Sequence, residues 1–186
     1  MSKSKKRRPA EPAGDPIDLL EAAMAEAVAL MEGRTWDWLL VGDGSGSGWD
    51  RACGWACYSL QHKPPDGQPA LRIWRGAAEP ASVNFAELLA YLQPVSWIAN
   101  EEIKRRHHGR APRTLSVHII TDSEYAAETG KRAGHAVASN AGIWAAFDSF
   151  LRQGIMLRWR WMRRESTALN CHADRLSKLA RQVFAG

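Results

Sequence analysis

Leu115-Ser-Val-His-Ile-Ile-Thr-Asp-Ser-Glu-Tyr125 is the stretch on which the fold turns. Its first seven residues, Leu115 to Thr121, are a short run rich in apolar and β-branched side chains, the composition of a buried strand. Asp122 interrupts the run, and Ser123, Glu124 and Tyr125 open a helix. Upstream, three short apolar runs at 36–42, 52–61 and 69–77 read as sequential antiparallel strands, the last two joined by Lys63-Pro-Pro-Asp-Gly67. A helical run from about Ser82 carries Leu88, Leu89 and Leu92; Pro94 is expected to end or kink it, with Trp97 to Arg106 as a second helical piece. Downstream come a helix from about Asn140 to Arg152, a strand from Ile155 to Met162 and a closing helix from about Ala168. The core order is β-β-β-α-β-α-α-β-α, an α/β arrangement.

The chain has 186 residues, enough for one core with a short appendage. Residues 1–14 mix basic residues with Ser, Pro and Gly and predict a disordered basic arm. Asp15 and Pro16 then start an amphipathic helix over 15–33, in which Ile17, Leu20, Met24, Ala27 and Met31 recur at helical spacing. It is expected to pack on its own domain, residues 34–186, as a monomer; a dimer seam is the alternative. The formal charge is +5, and Lys3, Lys5, Lys6, Arg7 and Arg8 account for it. Residues 9–150 hold 12 basic and 18 acidic residues and 151–186 hold 8 and 2, so an acidic body precedes an arginine-rich end. An acidic partner such as nucleic acid fits that end. Cys53, Cys57 and Cys171 cannot all pair, and no apolar run approaches a membrane span. A cytoplasmic setting is expected, nucleoid-associated, or nuclear if the arm is an import signal.

Four carboxylates stand where the pattern changes. Asp43 ends the first strand in Val41-Gly-Asp-Gly-Ser-Gly46, where a turn-forming role is equally open. Asp122 follows a strand and opens a helix, as a plain N-cap does. Glu87, in Asn84-Phe-Ala-Glu-Leu-Leu-Ala90, is flanked by apolar residues on a helix that must pack against the sheet. Asp174 lies early in the last helix, in Leu169-Asn-Cys-His-Ala-Asp-Arg-Leu-Ser177, where a helix-dipole partner is the simpler account. The ordered set, together with Thr121-Asp-Ser-Glu-Tyr125, Asn170 four residues before Asp174, and Ala141-Gly-Ile-Trp144 followed by Leu157-Arg-Trp-Arg-Trp161, resembles ribonuclease H of type 1 over roughly residues 36–184.

The resemblance implies a five-stranded mixed sheet, three antiparallel strands and then two parallel, flanked by helices. It also implies an endoribonuclease that cuts the RNA of RNA-DNA hybrids to 5′-phosphate products with two Mg²⁺ ions, for which Mn²⁺ can substitute. Asp43 would bridge both ions, Glu87 and Asp122 hold one, and Asp174 the other. Hydrolysing a phosphodiester in line benefits from two divalent cations about 4 Å apart, and such hard cations need several carboxylate oxygens. The alternatives are a nuclease of this fold acting on another nucleic acid, and a catalytically weak binding module.

The chain departs from the family pattern in two places. The loop Arg163-Arg-Glu-Ser-Thr167 lacks the usual catalytic histidine; Glu165 or Arg164 is expected to take part of that role. His172, two residues before Asp174, points about 200° away around the helix and reads as a helix residue without a catalytic part. The segment between Asp122 and Trp144 is too short for an added basic helix and offers only Lys131, Arg132 and His135. Phosphate contacts then fall to Arg163 and Arg164, with Arg158 and Arg160, or to the basic loop 104–113, for which a solvated charge run is the equal alternative. Ser45, Asn84, Ser123 and Asn170 are candidate contacts to the hybrid, against capping and turn roles. Most of the nine tryptophans are expected in the core, with Trp49 exposed. Cys53, Cys57, Cys171 and His172 do not have the spacing of a zinc site.

Overall fold

The protein is described by a computed structural model over residues 16–31, 36–46, 52–62, 70–79, 81–132 and 139–185. The basic arm, the Lys63–Gly67 connection, Trp49 and His135 lie outside these residues. The elements run α1 (Pro16–Met31), β1 (Trp38–Ser45), β2 (Cys53–Gln61), β3 (Ala70–Ala78), α2 (Val83–His107), β4 (Leu115–Thr121), α3 (Glu124–Lys131), α4 (Ala141–Arg152), β5 (Ile155–Trp161) and α5 (Ala168–Ala185). This is the order read from the pattern, with the N-terminal helix in front. The five strands form one sheet in the order β3-β2-β1-β4-β5. β1 pairs antiparallel with β2 and β2 with β3, whereas β4 pairs parallel with β1 and with β5.

Alternation along the strands gives the sheet two apolar faces. Trp38, Leu40, Cys57, Val117 and Ile119 lie in one core with Leu88, Tyr91 and Val95 of α2 and Trp144 and Phe147 of α4. Leu39, Val41, Tyr58, Leu60 and Ile120 lie in the other, with Ala23 and Ala27 of α1 and Leu169 and Ala173 of α5. Helices therefore cover both faces, as an α/β sheet buried on two sides requires. α1 belongs to this second core and does not stand apart.

Three expectations change. β1 runs on through Ser45, so Asp43 is inside the strand, opposite Ala56, and does not turn the chain. Pro94 neither ends nor splits α2, which is continuous over 25 residues. Pro94 is itself buried, and Val95, Ile98 and Ala99 continue the same apolar face, so packing outweighs the one backbone bond that proline removes. Among the described side chains of α1, Ala23 and Ala27 are buried, Ala27 as the period predicts, while Met24 is exposed, because small residues let the helix lie close against α5. Glu26 of α1 also accepts a hydrogen bond from the Leu169 N–H (3.0 Å), satisfying one of the free donors at the start of α5.

The basic loop proves to be a structural cluster. Glu102, 3% exposed, takes both ends of the Arg105 guanidinium at 2.7 Å and also binds Arg106 (3.2 Å) and Arg113 (3.1 Å). The hydrogen bond from Arg105, joined by those from Arg113 and Arg106, holds its carboxyl down at about 2, against the 4.5 of a free glutamate. A depressed carboxyl stabilises the fold above the unfolded value and loses that contribution as pH falls toward the folded one. Glu102→Gln is therefore expected to cost about 3 kcal/mol at pH 7, since it strands three guanidinium groups. Wild type and variant should converge as pH falls from 4.5 to 2; denaturant midpoints that stay equally far apart across that range would refute the assignment.

Candidate active site

The site forms where β1 and β4, parallel neighbours, reach their C-terminal ends under the start of α2. Val41 pairs with Ile120, so Asp43 and Asp122 lie at equivalent steps along adjacent strands. Gly44 makes the third carboxylate possible. A Cβ there would sit 2.4 Å from the Glu87 backbone nitrogen and 2.7 Å from the Ala86 carbonyl carbon, so only glycine lets α2 approach this closely. The contact brings the Glu87 carboxylate onto the Gly44 N–H, which favours its charged form.

Asp43, Glu87 and Asp122 each offer an oxygen, and these oxygens lie within 4.8 Å of one another. Asp43 is 1% exposed, Glu87 3%, and the Asp122 side chain 1%. One oxygen on each, Oδ1 of Asp43, Oε2 of Glu87 and Oδ1 of Asp122, is buried without a hydrogen-bond partner. Burial, reinforced by the charges of Asp122 and Asp174, raises the Asp43 carboxyl from 3.8 to about 8; burial and its neighbours Asp43 and Asp122 push Glu87 well above the ordinary range. Three buried carboxylates, each with an oxygen left unpaired, are costly to hold together unless a cation joins them. An all-oxygen donor set suits a hard divalent ion, so these residues fit one.

Asp174 stands beside Asp43 and raises its affinity for protons, but it is not part of the trio. Its Oδ2 is taken by Lys178 Nζ at 2.6 Å, four residues on. It lies beyond the first turn of α5, so the helix-dipole account does not explain it. The N-cap account of Asp122 fails as well, because Ser123 caps α3 by accepting from the Ala126 N–H (3.2 Å). Ser123, a candidate substrate contact, uses its oxygen as this cap. Asn170 is buried; its Oδ1 accepts the Glu165 N–H (2.9 Å), anchoring the loop before α5, while its Nδ2 has no hydrogen-bond partner among the described residues. Ser45 is buried with no partner for its hydroxyl, whereas Asn84 is exposed on the first turn of α2.

Of the two loop residues the sequence offered, Glu165 and Arg164, the arginine is the one that reaches the carboxylates. Glu165 is exposed, adopts a left-handed backbone (φ 55°) and does not join the clustered carboxylates, whereas the Arg164 Nε reaches Asp122 Oδ2 at 3.0 Å. Arg163 is exposed beside it. His172 turns away from Asp174, as its helical position predicts, and shares a hydrogen bond with the Tyr58 hydroxyl through Nδ1; burial, with Arg175, lowers its pKa. Cys53 and Cys57 are buried in the core under α2 and Cys171 lies on α5 across the sheet, so they form no common site.

Two supporting residues escaped the sequence reading. The Tyr91 hydroxyl, fully buried, is 2.7 Å from the Gly42 carbonyl oxygen and 3.1 Å from that of Ile120, tying β1 to β4 just before Asp43 and Asp122. Ser177 Oγ lies 3.3 Å from Asp43 Oδ2 and 2.9 Å from the Asp174 carbonyl oxygen. Tyr91 is four residues after Glu87 and Ser177 three after Asp174; helical spacing was the available signal. Tyr91→Phe is expected to cost about 1–2 kcal/mol by leaving the carbonyls without their donor. It should also weaken Mn²⁺ binding; an unchanged midpoint and an unchanged Mn²⁺ titration together would show that the hydroxyl does not hold the strands.

No protein-family model matches the sequence, and no curated protein does. Solved structures do. The N-terminal ribonuclease H domain of a Mycobacterium tuberculosis protein superposes with a TM-score of 0.57 at 17% identity, covering 80% of this chain and 96% of that one. A compost-derived ribonuclease H1, LC11, in complex with an RNA/DNA hybrid gives 0.59 at 14% identity, with 80% and 99% covered. The ribonuclease H1 of the archaeon Halobacterium salinarum gives 0.55 at 15%, with 78% and 98% covered. By the order and pairing of its strands and the placement of its helices, the chain has the ribonuclease H fold.

Proposed function

We propose that the protein is a metal-dependent endoribonuclease that hydrolyses the RNA strand of RNA-DNA hybrids and leaves 5′-phosphate products. The observation that carries this reading is the convergence of three buried carboxylates, each with an oxygen that no group among the described residues satisfies. Asp43, Glu87 and Asp122 would hold one Mg²⁺ ion, and Asp43 with Asp174 a second, Mn²⁺ substituting in either place. The chemistry that two such ions supply is activation of the attacking water and stabilisation of the leaving 3′ oxygen.

The rest falls to the chain itself. Asp43 is held by its strand, and the Gly44 N–H and the Tyr91 hydroxyl keep Glu87 and the two strand ends in register. Ser45, two residues after Asp43 on the same strand face, has an uncommitted hydroxyl for the ribose 2′-hydroxyl that separates RNA from DNA. Arg163 and Arg164 offer donors to phosphate, and Asn84 a further polar contact. LC11 ribonuclease H1 and a foamy viral protease-reverse transcriptase, both similar in fold, have been solved with RNA/DNA hybrids, which supports this substrate class. The packing of α1 on α5 supports a monomer.

The test is one assay with labelled RNA-DNA hybrid, double-stranded RNA and single-stranded DNA, each with Mg²⁺ or EDTA. The wild type should cut the hybrid alone and only with Mg²⁺, and Asp43→Asn should lower the rate by about 10³-fold or more. Hybrid cleavage that survives this substitution refutes the mechanism. A wild type that binds the hybrid but cuts none of the three is a binding module instead.

A further inference from the structure

We infer that Arg164 and Lys178 are resident counter-cations of the carboxylate cluster, holding its two ends in the metal-free protein and giving way when divalent ions bind. The inference rests on the reading of the four carboxylates as a two-ion site. Arg164 Nε lies 3.0 Å from Asp122 Oδ2 at one end, and Lys178 Nζ 2.6 Å from Asp174 Oδ2 at the other, with Asp43 between them. Each cation therefore sits on one oxygen of a carboxylate that would ligate an ion at that end, so that its charge competes with the ion's. Neither compensates the cluster fully, since one oxygen each of Asp43, Glu87 and Asp122 stays unpaired beneath them.

The two sides of each contact differ in what leaving costs. The carboxylates of the trio are buried, but the Arg164 side chain is 64% exposed and that of Lys178 42%, so both can swing into water with little loss of packing. Arg164 stands on the exposed turn after β5, between Arg163 and Glu165. A guanidinium released from Asp122 stays tethered next to the ion that replaced it, where the phosphate to be cut must lie, and its fork of donors suits phosphate oxygens. Ion loading and substrate grip are in this way coupled through one side chain.

The experiment is a Mn²⁺ titration of the full metal-free chain, by calorimetry or by the spin-resonance signal of free Mn²⁺, for wild type, Arg164→Ala, Arg164→Lys and Lys178→Ala. Arg164→Ala and Lys178→Ala should each bind Mn²⁺ about fivefold tighter than wild type, and Arg164→Lys should stay near wild type because it keeps the charge. The metal-free melting midpoint of Arg164→Ala should fall and recover in saturating Mn²⁺. With Ca²⁺ in place of Mg²⁺, Arg164→Ala should hold the hybrid several-fold more weakly. Unchanged or weaker Mn²⁺ affinity in either alanine variant overturns the assignment for that residue. If Arg164→Ala does not fold, Arg164→Gln replaces it in the titration, with about fivefold tighter Mn²⁺ binding expected and unchanged or weaker binding overturning the Arg164 assignment. Tighter Mn²⁺ binding in the variants, with no hybrid cleavage by wild type, would leave the counter-cations standing and remove only the proposed activity.

Discussion

Gly44→Ala is expected to cost about 3 kcal/mol or more of stability and to lower Mn²⁺ affinity at least about tenfold. The added Cβ would meet backbone, the Glu87 nitrogen at 2.4 Å and the Ala86 carbonyl carbon at 2.7 Å, and neither can rotate out of the way as a side-chain tip does. The first turn of α2 must retreat as a whole. Glu87 retreats with it, loses the Gly44 N–H and no longer meets the oxygens of Asp43 and Asp122. Gly142→Ala is the control: nothing lies within 4 Å of its Cβ position, and alanine favours a helix by about 1 kcal/mol over glycine. A Gly44→Ala protein that matches wild type in both denaturant midpoint and Mn²⁺ titration would show that the strand-helix contact does not build the site.

Asp43→Asn should stabilise the metal-free protein while it removes cleavage. Unfolded, the Asp43 carboxyl loses its proton near 3.8; folded, burial and the charges of Asp122 and Asp174 keep it protonated to about 8. Between those values the folded state binds more protons than the unfolded one, so wild-type stability without metal falls as pH rises through the window. Asparagine has no proton to lose. The two proteins should be alike near pH 4, and the variant more stable by about 5 kcal/mol near pH 8 in EDTA. Saturating divalent metal should reverse the order, because an ion that binds only the folded wild type adds stability by mass action. Melting midpoints from pH 4 to 8.5, with EDTA and with Mn²⁺, provide the measurement. Parallel pH profiles in EDTA would mean that Asp43 is not held in the strained, desolvated state the geometry implies.

Most of the architecture could be read before any coordinates, because it rests on local periodicity. Leu115–Thr121 is a strand to the residue, and the three antiparallel runs and both late helices fall within a residue or two, apart from β1. The misreadings came where tertiary packing overrode a local rule. Pro94 is a helix breaker by its chemistry, yet burial of the face it shares with Val95 and Ile98 keeps α2 whole. Gly42 and Gly44 looked like a turn, but their missing side chains serve close approach of α2, and β1 passes through them. Met24 was part of the apolar period of α1, yet it is exposed, and Ala23, outside that period, is buried beside Ala27.

The carboxylates divide in the same way. By itself the amino-acid sequence determined which acids stand at the ends of which elements, since residue type and period are local properties. Only the tertiary structure decided which of them meet: Asp43, Glu87 and Asp122 in one dry pocket, and Asp174 at its edge under Lys178. It also left Glu165 out of that cluster and placed Arg164 on Asp122, and it gave Ser123 a capping bond and Asn170 Oδ1 a loop-anchoring one. Distances across a sheet depend on register and helix approach, which are set by pairings between segments far apart in the chain. No local pattern encodes them, and the arginine loop lies at the site only because β5 runs parallel to β4 and delivers it there.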